Sequence, residues 1–174
     1  MTTATLQICE RIDMTSAPVP AGLAGLYERH YEAVFRAALR VTGRSADAED
    51  ILQTVFLRVL SGSEQEDVAT RPAAYFRRAA VNAAVDLLRR RAIRAETAYD
   101  DGAPHAAVES GTLLKEQLRR AIAMLDRDDA TLFLLRHVEG LSNQELADLF
   151  QLEKNNVAVR LHRIRQRLQT EMQR

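Results

Sequence analysis

The stretch LSNQELADLFQLEKNNVAVRLHRIRQRL, residues 141–168, decides the fold of the C-terminal part of the chain. Ser142 is followed three residues later by Glu145, a capping box that predicts the start of a short helix. A second helix with one buried face is indicated by apolar residues at helical spacing, namely Val157, Leu161, Ile164 and Leu168. The stretch therefore predicts two helices joined by a tight turn.

The small and aliphatic residues of this stretch match the needs of a helix-turn-helix. Ala147 is small where the first helix must let the second approach, and Val157 is aliphatic where the second helix packs against the first. Gln151 stands at a turn position often held by glycine, and a non-glycine residue at positive φ is uncommon. Arginines flank the apolar stripe, so the second helix could enter a major groove. The alternative is a basic surface helix in an ordinary bundle.

The composition bounds the class of protein. The 174 residues include 7 Gly, 4 Pro and no Trp, and alanine and aliphatic residues dominate the apolar content, which favours an all-helical fold. One cysteine, Cys9, excludes an intramolecular disulfide and a multi-cysteine metal site, and is consistent with a reducing compartment. The N-terminus lacks the pattern of a signal peptide, and no apolar run approaches the roughly 20 residues of a membrane span. We expect a cytoplasmic protein with no membrane insertion.

The charges of the chain are strongly segregated although the net charge is zero. Residues 1–70 hold six bases and ten acids, and residues 71–94 hold seven bases and one acid. Residues 95–153 hold five bases and twelve acids, and residues 154–174 hold six bases and one acid. Two basic segments on an acidic body are typical of a protein that binds phosphates at two points. Two solvated helix faces would give the same pattern.

Helical periodicity divides the chain into two small helical domains joined by a flexible acidic linker. Gly43 is expected to end the first helix, the second begins near Ser45, and Pro72 opens a third. The polar stretch at residues 61–71 is predicted to be a loop. Gly, Pro, Ser and acids gather before the fourth helix and indicate the linker. The predicted divisions are a disordered tail at 1–22, a helical domain at 23–95, the linker at 96–112 and a helix-turn-helix domain at 113–174.

The third helix, in YFRRAAVNAAVDLLRRRAIR, combines an aromatic, an amide and a carboxylate with many arginines. Tyr75, Asn82 and Asp86 share roughly one face. Bases can stack on such a ring while arginines hold phosphates, so the face is a candidate surface for single-stranded nucleic acid. In the structural alternative, Tyr75 and Phe76 are core residues and Asp86 pairs with an arginine, while the arginine run complements the helix dipole.

Taken together, three segments resemble a bacterial RNA polymerase sigma factor of the extracytoplasmic-function class. DAEDILQTVFLRV (Asp47–Val59) is similar to the helix that binds core polymerase in this family. RPAAYFRRAAVNAAVDLLRRR (Arg71–Arg91) is similar to the segment that binds and opens the promoter −10 element. LLRHVEGLSNQELADLFQLEKNNVAVRLHRIRQRL (Leu134–Leu168) resembles the helix-turn-helix that binds the −35 element. The three motifs occur in the family's order, across an acidic linker.

The resemblance implies three sets of site residues. Core-polymerase contacts are expected from Asp47, Glu49, Asp50, Gln53 and Phe56. Contacts to the −10 element and to melted DNA are expected from Tyr75, Arg78, Asn82, Asp86, Arg89, Arg90 and Arg91. Contacts to the −35 element are expected from Lys154, Asn155, Asn156, Arg160, His162 and Arg163. The implied partners are core RNA polymerase, promoter DNA and an anti-sigma factor of the kind that members of this class often have.

The sequence departs from the family pattern at three places. Tyr75 replaces a tryptophan, and Gln151 begins a Gln-Leu-Glu sequence in place of a Gly-Ile-Ser turn. Ala158 and Val159 replace a basic residue and a serine on the groove-facing surface of the last helix. Neither side chain can donate a hydrogen bond to a base, although both could contact a thymine methyl group. These departures leave the preferred promoter sequence open.

Two other classes of protein remain as alternatives. One is a helix-turn-helix regulator that binds duplex DNA alone as a dimer, and the other is a sigma-like decoy that binds a regulator without binding DNA. An enzyme is not expected, because the histidines are scattered and no glycine-rich phosphate loop is present. The sequence predicts no cofactor, no metal site and no catalytic residue.

Overall fold

The computed structural model describes residues 21–61, 65–98 and 110–173, and these residues form helices and short connections. The predicted disordered tail lies almost entirely outside the described residues. The described helices are α1 (Ala21–Thr42), α2 (Ser45–Leu60), α3 (Gln65–Thr70), α4 (Pro72–Ala98), α5 (Ser110–Ala123), α6 (Arg127–His137), α7 (Asn143–Phe150) and α8 (Lys154–Met172). None of them is long and apolar enough to cross a membrane. The predicted all-α fold is confirmed.

Helices α1 to α4 form the N-terminal lobe, whose core is built around aromatic rings. Phe76 of α4 is fully buried. Its ring stacks on His30 with centroids 4.7 Å apart and on Phe56 with centroids 5.0 Å apart. Gly43 ends α1 as predicted: its φ is 73° and its N–H donates to the carbonyl of Leu39 at 2.8 Å. This left-handed conformation favours glycine.

The segment between α2 and α4 contains a short helix, so the prediction of a loop at residues 61–71 is wrong over Gln65–Thr70. Val68 is the buried apolar residue of this helix. A single buried side chain in a polar sequence gives no periodic signal, because one turn of helix is too short to repeat. Pro72 opens α4 as expected, in a position where the missing N–H is harmless.

Helices α5 to α8 form the C-terminal lobe, and α7 and α8 form the predicted helix-turn-helix. The Ser142 hydroxyl accepts the Glu145 N–H at 3.2 Å, and a Glu145 carboxylate oxygen accepts the Ser142 N–H at 2.7 Å. These hydrogen bonds lower the pKa of Glu145, with the Ser142 backbone contributing most. Gln151 ends α7 with φ 55° and ψ 43°, so this non-glycine residue adopts the left-handed conformation at the turn. The predicted stripe of α8 is buried.

The two lobes are packed against each other, which the sequence did not predict. Helix α4 of the N-terminal lobe contacts both α5 and α6 of the C-terminal lobe. The buried apolar side chains of the described residues belong to a single contiguous core that spans both lobes. The predicted linker is helical at both margins, because α4 continues to Ala98 and α5 begins at Ser110. Residues 99–109 lie outside the described part of the chain.

Candidate nucleic-acid interface

One side of α8 is directed away from the core and carries polar side chains. Val157 and Leu161 face the core, and the opposite side begins at the N-terminus of the helix. The exposed residues of that side are Lys154, Asn155, Asn156, Ala158, Val159, His162 and Arg163. Val159 is 50% exposed, so an aliphatic patch lies among the polar groups. The arrangement can present charge and hydrogen-bonding groups to a duplex, with a small apolar surface between them.

Two arginines of α8 pair with acids at the start of α6. The Nε of Arg160 donates to Oδ1 of Asp129 at 2.5 Å. Nη1 of Arg167 lies 3.7 Å from Oδ2 of Asp129 and 3.5 Å from a carboxylate oxygen of Asp126. Arg160, which the sequence assigned to the −35 surface, is therefore partly committed to a structural ion pair. These pairs join residues far apart in the sequence, so no local pattern indicates them.

The middle of α4 carries the amide and carboxylate predicted to contact melted DNA. Asn82, Asp86 and Arg89 are partly exposed, and Arg90 is exposed. Tyr75 lies about two turns before Asn82 and is 8% exposed. Its ring packs against Phe76 with centroids 5.3 Å apart. The structure therefore corrects the surface assignment of Tyr75 in favour of the core alternative.

The N-terminus of α2 is joined to the end of α4 by a bidentate ion pair. Nη1 and Nη2 of Arg91 each donate to a carboxylate oxygen of Asp47 at 2.6 Å. Hydrogen bonding to Asp47 raises the pKa of the Arg91 guanidinium above its ordinary value. Asp47 is 7% exposed and does not offer the free surface that the sequence predicted. The side chain of Arg91 is 38% exposed, but its guanidinium is engaged by Asp47.

The exposed side of α2 keeps three of the five residues predicted to bind polymerase. Glu49, Asp50 and Gln53 are exposed. Phe56 is 6% exposed and its ring meets that of Tyr27 edge to face, with centroids 4.8 Å apart. The structure corrects the assignment of Phe56. Its ring packs in the core beneath the exposed acidic residues of α2 and is not part of the exposed surface.

Two histidines packed against neighbouring rings are less basic than exposed ones. Burial lowers the pKa of His30, and the charge of Arg29 adds to the effect. Burial lowers the pKa of His137 as well, with smaller contributions from Arg165 and Arg136. Both imidazoles are therefore less charged near neutral pH than free histidine. In residues 21–61, 65–98 and 110–173, no three His, Cys, Asp or Glu side chains are grouped so that they could hold a metal ion.

Comparison with known families accounts for both lobes. Residues 26–94 match sigma-70 region 2, and residues 115–168 match sigma-70 region 4. The RNA polymerase sigma factor CarQ of Myxococcus xanthus is 31% identical over 79% of this chain and 82% of its own. The chain belongs to the extracytoplasmic-function sigma factors. Such a factor directs RNA polymerase to promoters, and promoter DNA and core polymerase are its partners.

Other relatives of this sigma factor agree with the assignment. The ECF sigma factor SigW of Bacillus subtilis is 22% identical over 96% of this chain and 97% of its own length. SigE of Mycolicibacterium smegmatis is 29% identical over 82% of this chain, which spans only 58% of that relative. A crystal structure of the sigma factor RpoE with the anti-sigma factor NepR, from Bartonella quintana, is 17% identical. It has the same fold, with a TM-score of 0.52 over 88% of this chain and 98% of that one.

Proposed function

We propose that this sigma factor divides promoter recognition between three surfaces, and that it has no enzymatic chemistry of its own. Helix α2 binds core polymerase, α4 captures an unpaired base of the −10 element, and α8 binds the −35 duplex. The observation that carries the proposal is the family match of each lobe, combined with an exposed polar surface on the matching helix of that lobe. The site of action is the cytoplasm, where RNA polymerase is found.

The polymerase surface is formed by the exposed side of α2. Glu49, Asp50 and Gln53 supply two carboxylates and an amide on about one turn of helix. On the buried side of α2, the ring of Phe56 stacks on the ring of Phe76 and holds the helix in place. A rigid acidic surface suits a basic partner, because fewer side chains have to be ordered on binding.

The −10 surface is formed by Asn82, Asp86, Arg89 and Arg90, with Arg78 at its edge. The Asn82 amide can donate to and accept from a base edge, which suits a base that has left the duplex. The exposed guanidinium of Arg90 can contact the adjoining phosphates. Opening the duplex costs a few kcal/mol, about the free energy of unstacking one base. Capture of the unpaired base by α4 offsets this cost.

The −35 surface is formed by the exposed side of α8. Lys154, Asn155 and Asn156 are at the N-terminus of the helix, which is the end that enters the groove in helix-turn-helix proteins. His162 and Arg163 lie two turns further along. An anti-sigma factor is a third partner that we infer, because the Bartonella relative was crystallised with one.

Run-off transcription with and without core polymerase tests the proposed function. We expect a transcript from a cognate promoter only when both the sigma factor and core polymerase are present. Glu49→Lys with Asp50→Lys should abolish the transcript because the acidic surface is reversed, while Glu28→Lys with Glu32→Lys on α1 should not. A gel shift of duplex DNA by the sigma factor dimer without polymerase would instead support a stand-alone regulator. Polymerase binding without any transcript would support a decoy.

Asp129 should limit the attraction of α8 to phosphates, since it holds Arg160 and Arg167. Asp129→Asn is expected to release the guanidinium of Arg160 and to weaken the hold on Arg167, which keeps its contact with Asp126. The variant should therefore bind mixed-sequence duplex DNA more tightly at low salt. Each additional phosphate contact changes the slope of log K against log salt by about −0.9. We therefore expect a slope steeper by about one to two units, measured by fluorescence anisotropy over a salt series.

Asp128→Asn is the matched control for this prediction. Asp128 is exposed on the same helical turn as Asp129. Asp128→Asn removes one negative charge, as Asp129→Asn does, but leaves the contacts of Arg160 and Arg167 with Asp129 intact. Only a small change in slope is therefore expected. Equal slopes for the two variants would mean that Arg160 and Arg167 do not reach phosphates when Asp129 is absent.

A further inference from the structure

Val159 of α8 points almost directly away from the core of the C-terminal lobe. At about 100° of rotation per residue, its position lies nearly opposite the buried stripe that begins with Val157 and Leu161. The side chain of Val159 is 50% exposed, whereas Val157 and Leu161 are 0% and 2% exposed. Where the first turns of α8 project furthest from the lobe, the side chain is therefore aliphatic.

The neighbours of Val159 along this face are polar. Asn156 lies one turn before it and Arg163 one turn after it, and both are exposed. The three side chains line the same open concavity beside α6. A single exposed valine is ordinary on a protein surface. This valine differs in its place, because groups that can hydrogen-bond to base edges flank it on both sides.

The residues on either side of Val159 in the chain leave the centre of this face apolar. Ala158 is exposed and its side chain is a methyl group. Arg160 is directed toward α6, where its Nε donates to Oδ1 of Asp129 at 2.5 Å. Val159 and Ala158 therefore form a small apolar area between the polar groups.

An apolar area of this size suits one feature of the DNA major groove. Thymine alone among the four bases carries a C5-methyl group there, and the remaining base edges present hydrogen-bond donors and acceptors. A donor or acceptor pressed against an aliphatic side chain loses its water without gaining a partner, which costs free energy. Val159 should therefore favour thymine over cytosine, whose edge carries an amino group and no methyl group.

The spacing along α8 places this contact beside a base pair within reach of Asn156. Three residues of α-helix rise about 4.5 Å, and successive base pairs are about 3.4 Å apart. The side chains of Asn156 and Val159 therefore reach neighbouring base pairs when the helix lies along the groove. The amide of Asn156 suits adenine, because it can hydrogen-bond to N6 and N7 of that base together.

We propose that Val159 selects a thymine in the −35 element by contact with its C5-methyl group. The inference rests on the proposed function, because it requires that α8 enters the −35 duplex. It adds a specificity determinant that acts through an apolar contact and makes no hydrogen bond. The −35 element of this sigma factor should therefore contain a thymine next to the base pair that Asn156 contacts.

Replacement of thymine by deoxyuridine tests the contact, because the two bases differ by the methyl group alone. The −35 element is first identified by selecting randomised duplexes with the full-length sigma factor bound to core polymerase. Each thymine of that element is then replaced in turn, and the Kd of the duplex for the same complex is measured. At one position we expect binding to weaken about fourfold, the value for one buried methyl group. In Val159→Ala the loss at that position should fall below about twofold.

Two further variants identify the cause of the loss. Val159→Ile keeps an apolar side chain and should retain the sensitivity to deoxyuridine. Leu113→Ala is the matched control, because Leu113 is 51% exposed on α5 of the same lobe, and it should retain the sensitivity as well. Comparing thymine with deoxyuridine within each variant cancels any change in polymerase binding.

The outcomes separate this inference from the proposed function. If no thymine of the −35 element is sensitive to deoxyuridine, or if Val159→Ala keeps the sensitivity, the inference is overturned while −35 binding stands. Loss of the sensitivity in Val159→Ile would also overturn it, since the apolar contact is preserved in that variant. If the selection recovers no −35 element, the proposed function fails at α8 and the inference falls with it.

Discussion

Asn82→Ala combined with Arg90→Ala is expected to abolish promoter opening while leaving the association with core polymerase unchanged. The first change removes the amide that contacts the unpaired base, and the second removes an exposed charge for the phosphates beside it. Without the Asn82 amide and the Arg90 charge, no binding free energy offsets the cost of base-pair opening. Permanganate reactivity of unpaired thymines in the promoter measures opening, and fluorescence anisotropy of the labelled sigma factor measures polymerase binding.

The single variants separate capture of the base from release of the lobe interface. Asn82→Ala also removes the contact between the Asn82 amide and the Thr131 hydroxyl of α6. Arg90→Ala lies outside the lobe interface, so any loss of opening in this variant comes from the exposed charge alone. Arg36→Ala is the matched arginine control, since Arg36 is exposed on α1 and pairs with Glu32. Parallel loss of opening and polymerase binding in the double variant would refute the division between α2 and α4.

Phe76→Ala should destabilise the protein by about 3–5 kcal/mol, the usual range for a large aromatic lost from a core. The ring is fully buried and contacts the rings of His30, Tyr75 and Phe56. Removal of the ring leaves a cavity between α1, α2 and α4, because these packed helices cannot move close enough to fill it. Urea unfolding followed by circular dichroism gives the free energy of unfolding directly.

Leu57→Ala provides the comparison for this loss. Leu57 is 62% exposed on α2, so its truncation should change the free energy of unfolding by less than about 0.5 kcal/mol. A loss of under about 1 kcal/mol in Phe76→Ala would mean that the aromatic cluster is not a principal part of the core. Since the Phe56 ring of α2 packs on Phe76, Phe76→Ala should also weaken polymerase binding under conditions in which the protein is still folded.

Features encoded by nearby residues were predictable from the sequence. The Ser142 and Glu145 capping box, the apolar stripe of α8 and the left-handed Gln151 each depend on residues within about one or two helical turns. Local hydrogen bonds and periodicity determine them, and the structure has all three. The end of α1 at Gly43 belongs to the same group.

Features that depend on distant residues were not predictable in the same way. The structural alternative for Asp86 was an ion pair with a neighbouring arginine, and its partner is Arg127, 41 residues away on another helix. Asp47 and Arg91 were both assigned to binding surfaces because their segments resemble the polymerase-binding and −10-binding segments of the family. Their pairing depends on how α2 crosses α4, which no local pattern encodes. The packing of the lobes was missed for the same reason.

The Asp47–Arg91 pair has a mechanical consequence. Its two short hydrogen bonds fasten the first turn of α2 to the far end of α4, so these helices cannot tilt independently. A rotation imposed on α2 by a docked partner is carried to the arginines beside Arg91. If α2 binds the transcribing enzyme and α4 the melted strand, as we propose, the two contacts are mechanically coupled, and a change that improves one shifts the other.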